Sequence, residues 1–199
     1  MSNKLLIVFV KNIKMGKVKT RLAKTIGDAS AFEIYKALVE ITEKATTNLN
    51  IDKRIYFSDV IIKTKWKGTP KFVQNGEDLG ERMNNAFIDS FKDGYEHVVL
   101  IGTDLPTISE KIILKSFDEL NTSEIVFGPA EDGGYYLVGM STLNSFIFQN
   151  KSWSTSKLLS ETLNEIQQNK IEVSMLETLN DIDTFEDLQQ FPELLNRTL

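Results

Sequence analysis

The pattern of the sequence predicts an α/β fold, in which a mixed, mostly parallel sheet is flanked by helices. Residues 4–10 and 97–103 are two almost continuously apolar, β-branched runs, which is typical of strands buried on both faces. Segments with helical spacing alternate with such strands, as they do where helices join parallel strands. A chain of 199 residues can form one core, so we expect a single domain over residues 1–199.

The elements are predicted in chain order from hydrophobic spacing and from capping residues. Strand 4–10 is followed by a loop at 11–18, a short helix at 19–24 and a helix at 28–50, whose apolar residues recur every three or four positions. Ser109 is a typical N-cap for a helix at 109–120. Further strands are predicted at 54–58, 71–74, 97–103, 124–128, 135–140 and 172–176, and further helices at 79–91, 154–168 and 184–195.

Composition excludes several classes of active site. The chain has no cysteine, which excludes disulfides, thiolate metal sites and cysteine nucleophiles. His97 is the single histidine, so a histidine metal site or a Ser-His-Asp triad is not expected. The longest apolar run, residues 5–10, is too short to span a membrane or to form a signal-peptide core, and we expect a cytoplasmic protein.

Charge is unevenly distributed. The chain carries 23 basic and 28 acidic residues, yet its first 27 residues hold seven basic groups and no carboxylate. An acidic protein lacks the broad basic surface that nucleic-acid binding needs. The concentrated positive charge instead predicts a small, strongly anionic ligand.

The basic loop after the first strand is the first candidate site, because ligands of such sheets lie at the carboxyl ends of the strands. Gly16 permits close approach of the backbone, and Lys19 and Arg21 are suited to phosphate oxygens. The loop is not a Walker A motif, since Lys11 replaces its first glycine and Val18 its hydroxyl residue. A solvated basic loop is the alternative interpretation.

Asp104 follows the second buried strand, in the run Gly102-Thr103-Asp104-Leu105-Pro106. A carboxylate at this edge is suited to hold Mg²⁺ or Mn²⁺ against ligand phosphates. The alternative is an aspartate that only shapes the turn before Ser109.

Asp181 and Asp183 form a second acidic candidate. Alternate residues of an extended segment share a face, so both carboxylates are expected to point into one cleft. The competing interpretation makes Asp183 or Thr184 a helix N-cap, with Glu186 completing a capping box.

Two further loops carry polar residues. Asp132 precedes the Gly133-Gly134 turn and is a candidate base, although a tight turn alone explains the glycines. Asp78 is either a ligand-binding residue or the N-cap of the next helix. Trp153 is expected to form an aromatic wall beside the cap of the helix at 154–168.

Six motifs in this order resemble a known family. They are V-K-N-x-x-x-G-K-V-K-T-R-L, Q-x-G-x-D-L-G-E-R-M, L-I-G-T-D-L-P, G-P-A-x-D-G-G-Y-Y-L-V-G, W-S-T and L-x-D-I-D-T-x-x-D-L. The chain resembles the bacterial glycosyltransferase A-like (GT-A) proteins of the selenodomain-associated type. These are similar in fold to nucleotide-diphospho-sugar transferases and to phospholactate guanylyltransferases. The resemblance implies their three-layer fold.

The resemblance also implies roles for individual residues. Lys19, Thr20 and Arg21 match an element that meets nucleotide phosphates, while Asp104 and Asp183 match metal ligands. The usual D-x-D motif is absent, since Gly102 lies two residues before Asp104 and Pro106 two after it. The predicted catalytic residues are Arg21, Asp104 and Asp132, and the predicted substrate-binding residues are Lys11, Gly16, Lys17, Lys19, Thr20, Arg21, Gln74, Asp78, Gly80, Gly133 and Gly134.

These observations predict a transferase that depends on Mg²⁺ or Mn²⁺ and acts on a nucleotide or nucleotide-sugar, with a small-molecule acceptor. Nucleotidyl and glycosyl transfer both remain open. The alternatives are a nucleotide-binding regulator without turnover and a structural module that binds a protein partner.

Overall fold

The structure is a computed structural model that describes residues 3–12, 14 and 16–198, with the backbone alone at residue 198. Ile13 and Met15 of the predicted basic loop lie outside the described residues. The strands are β1 (Lys4–Val10), β2 (Asp52–Phe57), β3 (Lys71–Val73), β4 (His97–Ile101), β5 (Ile125–Pro129), β6 (Tyr135–Met140) and β7 (Val173–Met175). The α-helices are α1 (Thr20–Thr47), α2 (Leu79–Lys92), α3 (Glu110–Glu119), α4 (Leu158–Gln168), α5 (Phe185–Gln189) and α6 (Pro192–Leu195), and short 3₁₀ helices lie at Ser145–Phe148 and Asn196–Thr198.

The strands form one sheet in the order β3-β2-β1-β4-β6-β5-β7. Strand β6 is antiparallel to β4 and β5, and the other neighbouring pairs are parallel. The chain runs outward from β1 through β2 and β3, then returns to place β4 on the other side of β1. This reversal opens a crevice at the carboxyl ends of β1 and β4, where ligands of α/β sheets bind. The prediction of a mixed, mostly parallel sheet flanked by helices is confirmed.

The core lies on both faces of the sheet because the central strands are apolar on both sides. Even-numbered residues 6–10 of β1 pack in one cluster with Tyr35 of α1 and Phe117 of α3. Odd-numbered residues 5–9 pack in a second cluster with Phe87 of α2 and Leu159 of α4. A third cluster joins α1 to α5 and α6. The sheet is therefore the middle of three layers.

Two predicted helix beginnings differ from the structure. The helices predicted at 19–24 and 28–50 form one element, α1, broken at Gly27, whose φ of 81° and ψ of 158° are not helical. The helix predicted from residue 154 begins only at Leu158, because Ser154 has a φ of 63° and Thr155 Oγ1 donates to the Ser152 carbonyl. The hydroxyls of Ser154 and Thr155 therefore do not cap α4.

The predicted helix over residues 184–195 is divided into α5 and α6. Pro192 has no N–H to continue a helix, and Phe191 before it has a φ of −124° and a ψ of 75°. None of the helices formed by the described residues combines the length and the apolar character that crossing a bilayer requires.

Candidate active site

A cavity of about 450 Å³ opens at the crevice between β1 and β4. Five predicted site residues line it: Lys11, Gln74, Asp104, Asp132 and Gly134. Among the other described residues of its wall are Arg82, Met83, Tyr135, Trp153 and Asp181. The loops that the sequence predicts to meet therefore do meet, at the edge of the sheet where the strand order reverses.

The start of the basic loop is held by Asn12, which the sequence analysis did not single out. Asn12 Nδ2 donates to the Val60 carbonyl at 2.7 Å, and its Oδ1 accepts from the backbone N–H groups of Asp59 and Val60 at 2.6 and 3.1 Å. Tyr35 Oη donates to the Lys11 carbonyl at 3.0 Å and lies 3.1 Å from Thr103 Oγ1. The loops after β1, β2 and β4 are thereby fixed to one another.

Lys19 is buried between two carboxylates. Its side chain is 2% exposed, with Nζ 2.6 Å from Asp104 Oδ1 and 3.2 Å from Asp183 Oδ1. The first contact is an ion pair without the alignment of a hydrogen bond. The backbone of Lys19 is left-handed, with a φ of 49° and a ψ of 45°, immediately before α1 begins. Because both oxygens touch the same nitrogen, they are no more than about 6 Å apart.

The segment that carries Asp183 is held against the loop after β4. The Ile182 N–H donates to the Asp104 carbonyl at 3.3 Å, which places the two aspartates side by side. Asp187 Oδ2 accepts from the N–H groups of Asp183 and Thr184, and the Thr184 hydroxyl caps α5 in turn. The predicted capping box exists, but it consists of Thr184 and Asp187, so Asp183 is left to face Lys19.

The charges in this cluster raise the pKa of Lys19 and lower the pKa of Asp104. Burial alone would lower the pKa of Lys19, but Asp104 and Asp183 outweigh it and the pKa is raised. Burial alone would raise the pKa of Asp104, but Lys19 and then Lys11 hold it below its usual value. The pair is therefore ionised at neutral pH.

Asp181 lies near the same acids, but at this residue burial and the neighbouring negative charges outweigh the effect of Lys19. Burial, together with the charges of Asp183, Asp132 and Asp104 and against the opposing effect of Lys19, raises the pKa of Asp181 to about 6. Asp181 and Asp183 are both expected from the sequence to point into one cleft, but of the two only Asp181 lines the cavity, whereas Asp183 faces Lys19.

Other predicted residues of the basic loop lie outside the cavity wall. Arg21 is 62% exposed, with Nη1 3.6 Å from Asp183 Oδ2. Gly16, Lys17 and Thr20 are exposed, and Gly16 has a φ of 74°, which suits a glycine. Arg21 thus joins the charged cluster from the solvent side.

The turn between β5 and β6 reaches the same edge because β6 is antiparallel to its neighbours. Asp132 Oδ1 accepts from the Gly134 N–H at 2.8 Å, so this carboxylate shapes the turn and also lines the cavity. Gly133 has a φ of 88°, and a Cβ there would lie 2.7 Å from Ser156 Cα. Gly133 is therefore required by packing against the segment before α4.

The loop before α2 and the first turn of α2 contribute one cavity residue and two structural ones. Gln74 lines the cavity, and its Nε2 donates to the Tyr56 carbonyl at 3.1 Å. Asp78 is the N-cap of α2 and accepts from the Glu81 N–H at 2.8 Å. A Cβ on Gly80 would lie 2.7 Å from Trp153 Cζ2, so Gly80 allows α2 to approach the indole.

Two buried donors in the cavity wall lack a hydrogen-bond partner within the described part of the chain. They are Tyr135 Oη and Trp153 Nε1. Burial raises the pKa of Tyr135, so its hydroxyl stays protonated at neutral pH. Trp153 lies in the cavity wall, as the expected aromatic wall would, whereas no signal in the sequence distinguishes Tyr135 from other core aromatic residues.

In residues 3–12, 14 and 16–198, no group of three or more His, Asp or Glu side chains is arranged as a metal site. Asp104 and Asp183 form a pair of carboxylates with Lys19 Nζ between them.

The structure resembles solved structures over almost their whole lengths. A protein of Desulfovibrio desulfuricans G20, provisionally named a nucleotide-diphospho-sugar transferase, is 28% identical with a TM-score of 0.89, over 100% of this chain and 99% of that chain. The 4-diphosphocytidyl-2C-methyl-D-erythritol synthase of Anaerococcus prevotii DSM 20548 is 14% identical with a TM-score of 0.62, over 98% and 97%. Rv0371c of Mycobacterium tuberculosis H37Rv, in a complex with manganese, is 14% identical with a TM-score of 0.52, over 96% and 99%.

These similarities confirm the predicted nucleotide-diphospho-sugar transferase-like fold. No curated protein matches the chain significantly. Residues 42–155, more than half of the chain, match the family described as "Uncharacterized protein conserved in bacteria (DUF2064)", and the chain belongs to that family.

Proposed function

We propose that this protein is a transferase that depends on Mg²⁺ or Mn²⁺ and moves a nucleotidyl or glycosyl group from a nucleotide or nucleotide-sugar to a small-molecule acceptor. One observation carries the proposal. Lys19, Asp104 and Asp183, which are far apart in the chain, meet in one charged cluster beside a cavity of about 450 Å³. Ligand sites of α/β sheets lie at this edge.

The residues of the cluster fit a divalent cation in their chemistry. Mg²⁺ and Mn²⁺ prefer carboxylate oxygens, and Asp104 Oδ1 and Asp183 Oδ1 lie on the same side-chain nitrogen, at 2.6 and 3.2 Å from Lys19 Nζ. Asp181 adds a third acid nearby, so the acids outnumber the one buried cation. Asp104 and Asp183 would hold the ion, which when bound neutralises charge on the phosphates.

The cations of the loop act on the same phosphates. Lys11 lines the cavity, and Lys19 and Arg21 lie at the charged cluster. Positive groups that are already in place when charge develops lower the barrier without reorganising at the moment of reaction. Arg21 also has the planar donor geometry that suits a phosphate edge.

The rest of the cavity offers contacts to a base, a sugar or an acceptor. Leu79, Met83 and Trp153 supply apolar surface, and Gln74 and Gly134 supply polar groups. In glycosyl transfer Asp132 is the candidate base for the acceptor hydroxyl, although one of its oxygens is engaged with Gly134.

Two reactions fit this arrangement and differ in the leaving group. In nucleotidyl transfer an acceptor oxygen attacks the α-phosphorus and pyrophosphate leaves. In glycosyl transfer the acceptor attacks a sugar carbon and a nucleoside diphosphate leaves. The fold shared with the 4-diphosphocytidyl-2C-methyl-D-erythritol synthase agrees with the first, and the name of the D. desulfuricans relative agrees with the second. A cytoplasmic location and the selenodomain-associated type remain predictions.

Incubation with nucleoside triphosphates and nucleotide-sugars, each with Mg²⁺ or Mn²⁺ and a panel of acceptors, identifies the leaving group. We expect Asp104→Asn to lower turnover by at least about 100-fold, the size of effect seen when one charge-stabilising contact of a transition state is lost. Asp118→Asn on α3 is the matched control, since Asp118 is exposed and does not line the cavity. Full activity of Asp104→Asn would refute the metal role.

The same substitution removes a partner of a buried lysine, so the fold of the variant must be measured alongside its activity. Nucleotide binding without turnover across the whole acceptor panel would favour the regulator. Absence of any metal-dependent stabilisation by nucleotides would favour the structural module.

A further inference from the structure

The charged cluster already contains a cation that belongs to the protein. Lys19 Nζ touches Asp104 Oδ1 at 2.6 Å and Asp183 Oδ1 at 3.2 Å, and its side chain is 2% exposed. Asp104 Oδ1 is shielded from solvent in this arrangement. The two carboxylates are thus held together by the ammonium group of Lys19.

The position of that ammonium is also the position that a divalent ion would need. An ion shared by the two oxygens lies about 2.0–2.6 Å from each, inside the space that Nζ fills. Two positive charges cannot share this volume, because at such distances their repulsion is strong. Binding of a metal ion by both carboxylates therefore requires Lys19 Nζ to move away.

The neighbouring cavity is a place to which the Lys19 ammonium group can move. The loop that carries it leads into the cavity at Lys11, and Arg21 is already on the solvent side of Asp183. The backbone of Lys19 is left-handed, which is unusual for a residue with a side chain, and its side chain points inward at the cluster. A phosphate in the cavity would offer the ammonium a new anion as it leaves the carboxylates.

We propose that Lys19 is an exchangeable cation that occupies the metal site of the free protein, so that a divalent ion binds weakly until Lys19 moves to a phosphate. The inference rests on the metal role of Asp104 and Asp183 in the proposed function. By reciprocity, a phosphate ligand that draws Lys19 away raises the affinity for metal, and metal raises the affinity for that ligand.

Binding of Mn²⁺ to the ligand-free protein, followed by electron paramagnetic resonance of the unbound ion, tests the proposal without any activity assay. Lys19→Met removes the competing ammonium and keeps a side chain of similar length. We expect it to bind Mn²⁺ at least about tenfold more tightly than wild type, which corresponds to about 1.4 kcal/mol.

Lys24→Met is the matched control. Lys24 is an exposed lysine of α1, and its substitution removes the same charge without emptying the cluster. We expect its Mn²⁺ affinity to stay within about twofold of wild type, because a solvated charge is screened. Equal affinities of Lys19→Met and Lys24→Met would overturn the proposal, and so would failure of all three proteins to bind Mn²⁺.

A second measurement uses the wild-type protein, in case Lys19→Met does not fold. The buried Lys19 ammonium of a ¹⁵N-lysine-labelled sample should give a distinct Nζ resonance, and saturating Mg²⁺ should shift or abolish it. Saturation without a change in that resonance would contradict the exchange. The two proposals can fail separately. If Lys19→Met binds Mn²⁺ more tightly but the wild-type protein turns over no nucleotide or nucleotide-sugar, the exchange of Lys19 is supported and the transferase activity is refuted.

Discussion

Asp181 is the acid of the site whose ionisation the fold opposes. Its pKa is raised to about 6 by burial and by the charges of Asp183, Asp132 and Asp104, with Lys19 acting the other way. An aspartate in an unfolded chain titrates near 3.9. Between about pH 4 and pH 6 the folded protein therefore holds a proton that the unfolded chain has released, and the contribution of this group to stability falls as pH rises through that window.

We expect Asp181→Asn to raise the melting temperature relative to wild type more at pH 7.5 than at pH 4, because only the ionised carboxylate is disfavoured. Thermal unfolding in EDTA at the two pH values measures the difference. Asp118→Asn, on the exposed side of α3, should show no such dependence. An identical shift of Asp181→Asn at both pH values would mean that the pKa is not raised.

Sequence reasoning located some of the charged residues but not their pairing. Asp104 was predictable because an apolar strand leads directly to it, and Asp183 because a family motif contains it. Lysines in a basic loop are ordinarily solvated, so nothing local indicated that Lys19 would be buried. Its burial depends on two acids that only the tertiary fold brings to it. Asn12 was missed because its role is to bind backbone groups of another loop.

At the scale of elements, the contact between α2 and the segment before α4 depends on Gly80. A Cβ there would lie 2.7 Å from Trp153 Cζ2 and 3.0 Å from its Nε1, and closer still to the Phe148 carbonyl oxygen. The backbone oxygen cannot move aside as a flexible side chain would. The spacing of the two elements therefore leaves no room for a larger residue.

We expect Gly80→Ala to lower the free energy of unfolding by about 1–3 kcal/mol, the usual cost of overpacking, even though alanine favours helix formation. Urea unfolding measures this difference. Gly102→Ala is the control, since a Cβ at that position meets no atom within 4 Å. A Gly80→Ala protein as stable as wild type would show that α2 can shift at no cost.

The helix ends were predictable where a side chain caps the next turn. Ser109 and Asp78 accept from backbone N–H groups of α3 and α2, as such residues do in any helix. The predicted start of α4 was wrong because the Trp153-Ser154-Thr155 segment resembles a helix cap in sequence but forms turns. This segment packs closely against two glycines, with Gly80 next to Trp153 and Gly133 next to Ser156. Those constraints come from distant residues and leave no local signal.

At the scale of the whole molecule, the site combines loops that follow several strands of the sheet with segments that precede α4 and α5. A ligand that binds only this assembled site stabilises the complete fold. At 100 times its dissociation constant the gain is about 2.7 kcal/mol, which for a chain of this size raises the melting temperature by roughly 5–10 °C.

We expect such a shift when Mg²⁺ and the correct nucleotide or nucleotide-sugar are added together, and a smaller shift with either alone. Differential scanning fluorimetry over a panel of ligands measures it, with the matching nucleosides as controls that lack phosphate. If every nucleotide left the melting temperature unchanged with metal present, the cavity would not be a nucleotide site.

The fold class followed from the sequence, whereas the strand order did not. Buried strands alternating with helices predict a largely parallel sheet, and the Gly133-Gly134 turn predicts adjacent strands β5 and β6. Strand β6 also pairs with β4, and this pairing depends on which strand edges are still unpaired when the sheet assembles. Strand pairing of this kind is a long-range choice that local patterns do not encode.

The ion pair between Lys19 and Asp183 spans 164 positions of the chain. A nascent polypeptide emerging from the ribosome exposes Lys19 long before Asp183 has been synthesised. Lys19 therefore reaches its final burial only after the segment that carries Asp183 has left the ribosome, and until then its ammonium group remains in water.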